Sequence, residues 1–196
     1  MTYQPKTFAI KDLVGISAKS IEEHIGLYQG YVKNFNAITA SIEEMLADPE
    51  KNVHQIAELT RRRSFEFGGM RLHELYFPQL SGGVSALNEK GALGIALAAQ
   101  YGSVEAALMQ LRRVSMMRGP GWAILYYDKD AATFHIGFTG EQHQGHFVAL
   151  PIILALDVWE HAYILDYGAG GRGAYVDAFF ANCSWTVAEE RFSVVA

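Results

Sequence analysis

The chain has 196 residues, half of them apolar and 19 % charged, with a formal net charge of −5; this is ample apolar sequence for a core in one domain or two modest ones, and it argues against disorder or a repeat array. The lone cysteine, Cys183, excludes an internal disulfide framework and a thiolate-rich zinc site. The acidic balance, with Arg61-Arg62-Arg63 as the one tight basic cluster, argues against a nucleic-acid surface, and with neither a leader-like segment nor an apolar run of about 18 residues the expectation is a cytoplasmic protein that spans no membrane.

Residues 1–16 read as irregular, with Pro5 and Gly15. Ser17 is a candidate N-cap and Ser20 with Glu23 a second one, opening a helix to about Ala47 in which Ile21, His24, Tyr28, Tyr31, Phe35 and Ile38 recur at intervals of three and four on a broad face. Asp48-Pro49 ends it, and Asn52 opens a second helix to about Tyr76. Two long helices and a short turn make an antiparallel hairpin, which brings His24, early in the first, near His73, late in the second. Two facing histidines are an ordinary core feature unless a third group is aimed at the gap.

Pro78 and Ser81-Gly82-Gly83 mark the expected boundary between an N-terminal helical hairpin domain, 1–83, and a C-terminal domain, 84–196. In the second half, Asn88–Gln100 and Ser103 to about Met117 read as helices. Trp122–Tyr127 and Ala132–Phe138 read as a strand hairpin, and Pro151–Leu156 as a third strand. Glu160–Tyr167 turns helical, Gly168–Gly173 is a loop, and Ala174–Asn182 and Thr186–Phe192 are terminal helices. The fold class is α+β: a helical hairpin, then helices around a small three-stranded antiparallel sheet.

The third strand ends abruptly in Asp157-Val158-Trp159-Glu160-His161. An Asp and a His four residues apart at a strand end can reach one point and can both ligate a divalent metal; a simple Asp–His hydrogen bond or a satisfied core histidine accounts for the pair equally well. Elsewhere, Gly168-Ala169-Gly170-Gly171-Arg172-Gly173 lacks the ending of a phosphate loop and reads as a plain loop, and no nucleophile elbow is present. His54, His135 and His146 have no spacing that recruits them.

Asp157-Val158-Trp159-Glu160-His161-Ala162-Tyr163 resembles the signature of the iron/manganese superoxide dismutase family. The resemblance covers most of the chain: Ile21, Glu22 and His24 with Tyr31-Val32, Asn34 and Asn36 are similar to that family's first helix, Gly68-Gly69 and His73 to Phe77 to its second, Gly121-Trp122 to a strand start, and Arg172, Asn182 and Trp185 to its tail. It implies one iron or manganese ion per subunit, held by His24, His73, Asp157 and His161, and conversion of two superoxide anions to oxygen and hydrogen peroxide. Three imidazoles and a carboxylate suit both metals in both redox states. The resemblance also implies a glutamine against solvent at the ion, from the second helix, where this chain has Gly69, or from the end of the second strand, where Gln142 is the choice and His143 its rival. It further implies a homodimer in which Glu160 of one subunit meets His161 of the other, and it makes Trp122 and Trp159 the site's apolar walls.

The first helix departs from the family pattern. A gateway histidine is expected four residues after the ligand and a tyrosine eight after it; here Tyr28 stands at the former, and Tyr31 is seven after His24, with Val32 at eight. Either the helix has lost a local bulge, so that Tyr31 still serves proton delivery, or Tyr28 takes part of that role. Ile164 stands where the family has a second tyrosine that pairs with the partner's gateway histidine, and Ile124 where it has an aromatic residue. The alternative expectations are a metal-binding relative with an altered gate and weak or different oxidant-linked activity, and a metal-free helical interaction protein.

Overall fold

The computed structural model describes residues 2–196. The N-terminal hairpin pairs α1 (Ala18–Met45) with α2 (Val53–Ser81). Ser17 caps α1, its backbone extended and its hydroxyl accepting the Ser20 N–H at 3.1 Å, so Ser20 is the capped residue and not a second cap. The turn is closed by Asn52, whose amide donates to the carbonyls of Met45 and Asp48 at 3.2 and 2.9 Å. α2 runs five residues past the expected end at Tyr76, with Pro78 inside it. Pro78 removes one helical donor, but Phe77, Gln79 and Leu80 in that last turn are buried, and packing outweighs the break.

In the second half α3 (Ala92–Tyr101) begins four residues later than Asn88, because Asn88–Gly91 form a turn in which the Gly91 N–H donates to the Asn88 carbonyl at 2.8 Å. α4 (Val104–Ser115) starts at the expected cap, Ser103, and ends two residues short of Met117. The sheet follows: β1 (Gly121–Asp128), β2 (Thr133–Gly140) and β3 (Ile152–Asp157), all antiparallel in the order β2-β1-β3. β1 is central and buried along nearly its whole length. β3 pairs with it so that Asp157 lies opposite Trp122, with a register shift between Leu125 and Tyr126. A 3-10 turn at Glu160–Ala162 and the one-turn α5 (Ile164–Tyr167) lead to α6 (Arg172–Asn182) and α7 (Trp185–Val195).

One apolar cluster joins both halves: Phe77 and Leu80 of α2 pack in the same core as Ile153–Leu156 of β3 and Phe179 of α6. Among the described residues no single helix is long and apolar enough to cross a membrane. The expected irregular N-terminal segment is irregular from residue 2, Met1 lying outside the described residues. It is tied down by two asparagines acting as strand-like partners: Asn36 bonds both backbone groups of Tyr3 at 2.9 and 2.8 Å, and Asn182 both of Val14 at 2.9 and 2.7 Å. Asn182 is 2 % exposed and also donates to Ala178 O at 2.7 Å. Val14 is itself 74 % exposed, so Asn182→Ala removes both bonds to it at a net cost of about 0.5–1.5 kcal/mol each. Thermal unfolding should register that loss and hydrogen exchange should rise around Val14; unchanged exchange there would show that the segment is held by other contacts.

Candidate metal centre

Each donor reaches the centre for a local reason. His24 lies two turns into α1 and His73 in the second half of α2, so the antiparallel hairpin places them side by side, ring centroids 4.9 Å apart. Asp157 is the last residue of β3, and the chain then turns through Trp159 into the 3-10 turn that returns His161 to the same point. The Nε2 atoms of His24 and His161 each lie 3.1 Å from Asp157 Oδ2, and that of His73 lies 3.5 Å from it. All four ligand atoms lie within 4.8 Å of one another. Asp157 Oδ1 is occupied separately by the Trp159 N–H at 2.9 Å, which leaves Oδ2 for the cluster.

The donor set fits a metal ion. His73 Nδ1 bonds the Gly69 carbonyl at 2.6 Å, and since a carbonyl only accepts, the proton is on Nδ1. Its Nε2 is therefore a bare lone pair, in a side chain with no exposed surface, and it has no hydrogen-bond partner. A cation supplies what that lone pair lacks. Burial, reinforced by the neighbouring His24, pulls the His73 pKa down to about 3, and burial also lowers that of His24, so both rings are neutral as ligation requires. Burial would raise the Asp157 carboxyl, but His161 and His24 against it hold it well below the ordinary carboxylate range. Three N donors and one O donor, with no thiolate, suit iron or manganese.

Around the donors, Trp122 and Trp159 form walls: Trp122 meets His73 edge-on at 5.1 Å, and Trp159 stacks on His161 at 5.7 Å with its indole N–H on the Glu141 carbonyl. Gln142 is fully buried. Its Oε1 accepts from Trp122 Nε1 at 2.8 Å, which fixes the amide orientation, and its Nε2 then donates to Tyr31 Oη at 2.9 Å. Glu141, just before it, takes the left-handed backbone (φ 51°), a strained conformation that turns Gln142 inward. His143, the rival for this place, packs instead against Phe65 at 5.6 Å, its Nδ1 3.9 Å from Glu141 and without a hydrogen bond.

The tyrosine pair separates in the same way. α1 is regular throughout, without a bulge, and seven residues bring Tyr31 to within about 20° of His24 around the helix. The Tyr28 ring stacks on His73 at 6.3 Å, but its hydroxyl is directed elsewhere: it accepts the Lys6 N–H at 2.8 Å and donates to Glu74 Oε1 at 3.2 Å, tying the N-terminal segment to α2. Both hydrogen-bonding functions of the Tyr28 hydroxyl are thus used away from Gln142, and the direct bond to that amide is made by Tyr31. Glu160 is exposed beside His161, the one donor whose ring is partly open, at 18 %.

Sequence reasoning missed the steric part played by Gly68 and Gly69. A Cβ on Gly68 would stand 1.9 Å from the Gln142 carbonyl oxygen, and one on Gly69 would stand 2.5 Å from the Tyr31 ring. The notch admits the Gln142 loop and the Tyr31 ring side by side, and it leaves no volume for a glutamine supplied from α2. The signal was available: two adjacent glycines inside a helix cost about 1 kcal/mol each against alanine, which points to a close approach.

The fold and this site define a class: an α+β protein whose helical hairpin and sheet jointly carry a buried mononuclear three-histidine, one-aspartate metal centre. Residues 89–191 match the model of the iron/manganese superoxide dismutases, C-terminal domain. Over 90 % of its length the chain is 33 % identical to a protein of Saccharolobus solfataricus named superoxide dismutase [Fe], covering 85 % of that protein. It is 34 % identical to superoxide dismutase [Fe] of Cupriavidus metallidurans over 98 % of both chains, and 33 % identical to superoxide dismutase [Mn] 1 of Halobacterium salinarum over 86 % of this chain and 82 % of that one. The chain belongs to the iron/manganese superoxide dismutase family.

The depressed histidines dictate an acid lability of the metal-free protein. Below pH 6.5 the unfolded chain takes up protons that folded His24 and His73 refuse, so stability falls as pH falls; for His73 the loss is about 1.4 kcal/mol per pH unit until that ring protonates near pH 3. Asp157, depressed when folded, acts in the same direction below pH 3.8. Unfolding in the presence of a chelator should show the midpoint dropping between pH 7 and pH 5; a flat profile would contradict the neutral buried rings.

Proposed function

We propose that this protein dismutes superoxide, 2 O2•− + 2 H+ → O2 + H2O2, with one iron or manganese ion held by His24, His73, Asp157 and His161. The convergence of those four donor atoms within 4.8 Å carries the reading. When bound, the ion supplies the one-electron redox cycling of which none of these side chains is capable. Asp157 is the only anionic donor of the four, so the donor set leaves positive charge uncompensated, which favours a small anion.

Tyr31 and Gln142 manage the proton. Burial, and the negative charge of Asp157 behind it, push the Tyr31 hydroxyl above its ordinary value, so it stays protonated. Its oxygen already accepts from Gln142 Nε2, which leaves its own O–H to donate into the site. Trp122 holds Gln142 in the orientation that makes this possible, and the two tryptophan walls limit water and lower the local dielectric.

A homodimer completes the reading. His161 is partly open at the floor of a surface depression shared with Glu22, Glu23, Leu27, Ile164 and Leu165, and the last three are apolar and 44, 43 and 51 % exposed. Such a patch beside a ligand suits a second copy of the chain, with Glu160 beside His161 at the contact.

Protein loaded separately with iron and with manganese should dismute superoxide far above the free ions; background rates at full occupancy would reject the reading. Tyr31→Phe should lower turnover roughly 10-fold or more with metal content unchanged, since a positioned proton donor is lost. Light scattering should give twice the chain mass of 21.7 kDa, and Ile164→Glu should shift it toward the monomer.

A further inference from the structure

The three-stranded sheet has two outer edges, and on each a helix supplies a glutamine whose amide stands in for a missing strand. On β2, Gln100 of α3 donates from Nε2 to Phe134 O at 2.7 Å and accepts the Phe134 N–H on Oε1 at 2.6 Å. On β3, Gln79 of α2 donates to Ala155 O at 2.7 Å and accepts the Ala155 N–H at 3.0 Å. The two caps are alike in chemistry and differ in what lies beside them. Gln79 has no exposed surface and is itself held by Arg191 of α7, whose Nη1 donates to Gln79 Oε1 at 3.0 Å and to Ile153 O at 3.3 Å, and whose Nη2 donates to Leu75 O at 2.7 Å. One guanidinium thereby joins α2, β3 and α7.

Those are the elements whose relative position decides the metal centre. His73 lies six residues before Gln79 on α2, and Asp157 two residues after Ala155 on β3. β3 pairs with another strand on one side only, and its ladder to β1 is interrupted by the register shift between Leu125 and Tyr126. Burial of Ile153, Leu154 and Leu156 holds the strand in the core, but apolar contact is non-directional and tolerates sliding along the strand axis. Hydrogen bonds do not. A slip of one residue would turn Asp157 to the opposite face, and a fraction of that slip would change its distance from His73.

We propose that Gln79, backed by Arg191, is a positioning residue that keys β3 to α2 and so sets where the Asp157 carboxylate stands relative to His73. The proposal rests on the metal-binding reading above. It assigns to a buried polar pair, remote from substrate, control over the strength and symmetry with which an ion is held.

The test compares Gln79→Met with Gln100→Met, which removes the same kind of cap from the edge without a ligand. Three measurements separate them: the electron paramagnetic resonance line shape of the iron(III)-loaded protein, the rate of iron release to a chelator, and amide exchange along β3 in metal-free protein. Gln79→Met should alter the line shape, release iron roughly 10-fold faster and speed exchange at Ala155 and Leu156, whereas Gln100→Met should leave all three as in the unsubstituted protein. Gln79→Glu keeps the two bonds accepted by Oε1 but replaces the donor to Ala155 O with a carboxylate oxygen, so it should shift each readout in the same direction as Gln79→Met. If Gln79→Met does not fold, Gln79→Glu and Arg191→Met decide, the latter shifting the readouts in the same direction by less. An unsubstituted line shape and release rate in the Gln79 variants, or an equal change in Gln100→Met, overturns the proposal. Failure of the unsubstituted protein to take up iron would sink the metal reading instead, and β3 exchange would still decide the keying.

Discussion

Everything in this structure is arranged around one carboxylate oxygen, Asp157 Oδ2, on which three imidazole nitrogens, two of them from fully buried rings, converge at 3.1 to 3.5 Å. Such a cluster is costly to assemble: a buried carboxylate has lost its water, and His73 presents a lone pair to no hydrogen-bond donor. The Trp159 N–H and the flanking imidazoles offset part of that cost for the carboxylate, but no interior group meets the His73 lone pair, which a cation would. The site is thus specified as much by what it lacks as by what it contains. Its donors come from four places in the chain, two helices, a strand end and a turn, so the packing of both halves into one core is a condition for its existence.

Around the donors, space is allotted by removing atoms. Gly68 and Gly69 cut a notch in α2, the Gln142 loop and the Tyr31 ring fill it, and Trp122 orients the amide between them. The regularity of α1 belongs to the same design. With no bulge, a spacing of seven returns Tyr31 to the face of His24, and the tyrosine reaches the amide from a helix one residue shorter than the family pattern leads one to expect.

Much of this was legible before any coordinates. The three- and four-residue periodicity of α1 and α2 and the short turn between them place His24 beside His73, because helix geometry leaves little freedom. The apolar run ending in Asp157 reads as a buried strand for a comparable reason. The failures were of another kind. The end of α2 was set at Tyr76 because Pro78 breaks helices locally, whereas burial of the last turn is a property of the whole fold. Gln142 could not be separated from His143, because a loop has no period and its inward residue is chosen by the strained backbone of Glu141 and the opening at Gly68. Tyr28 and Tyr31 could not be separated either, since both lie on the buried face of α1; Tyr28 is drawn off by Lys6 and Glu74, contacts between segments that no spacing foretells.

The two glutamine caps have a consequence beyond this protein's own folding. A bare outer strand is a template on which another chain can extend the sheet, the first step toward polymerisation. Here the outward amide and carbonyl of Phe134, and those of Ala155, already have partners, and on β3 the carbonyl of Ile153 is taken as well. At these positions the outer strands of a three-stranded sheet offer no free backbone group to another chain, and a sheet extended from either edge would first have to displace a glutamine.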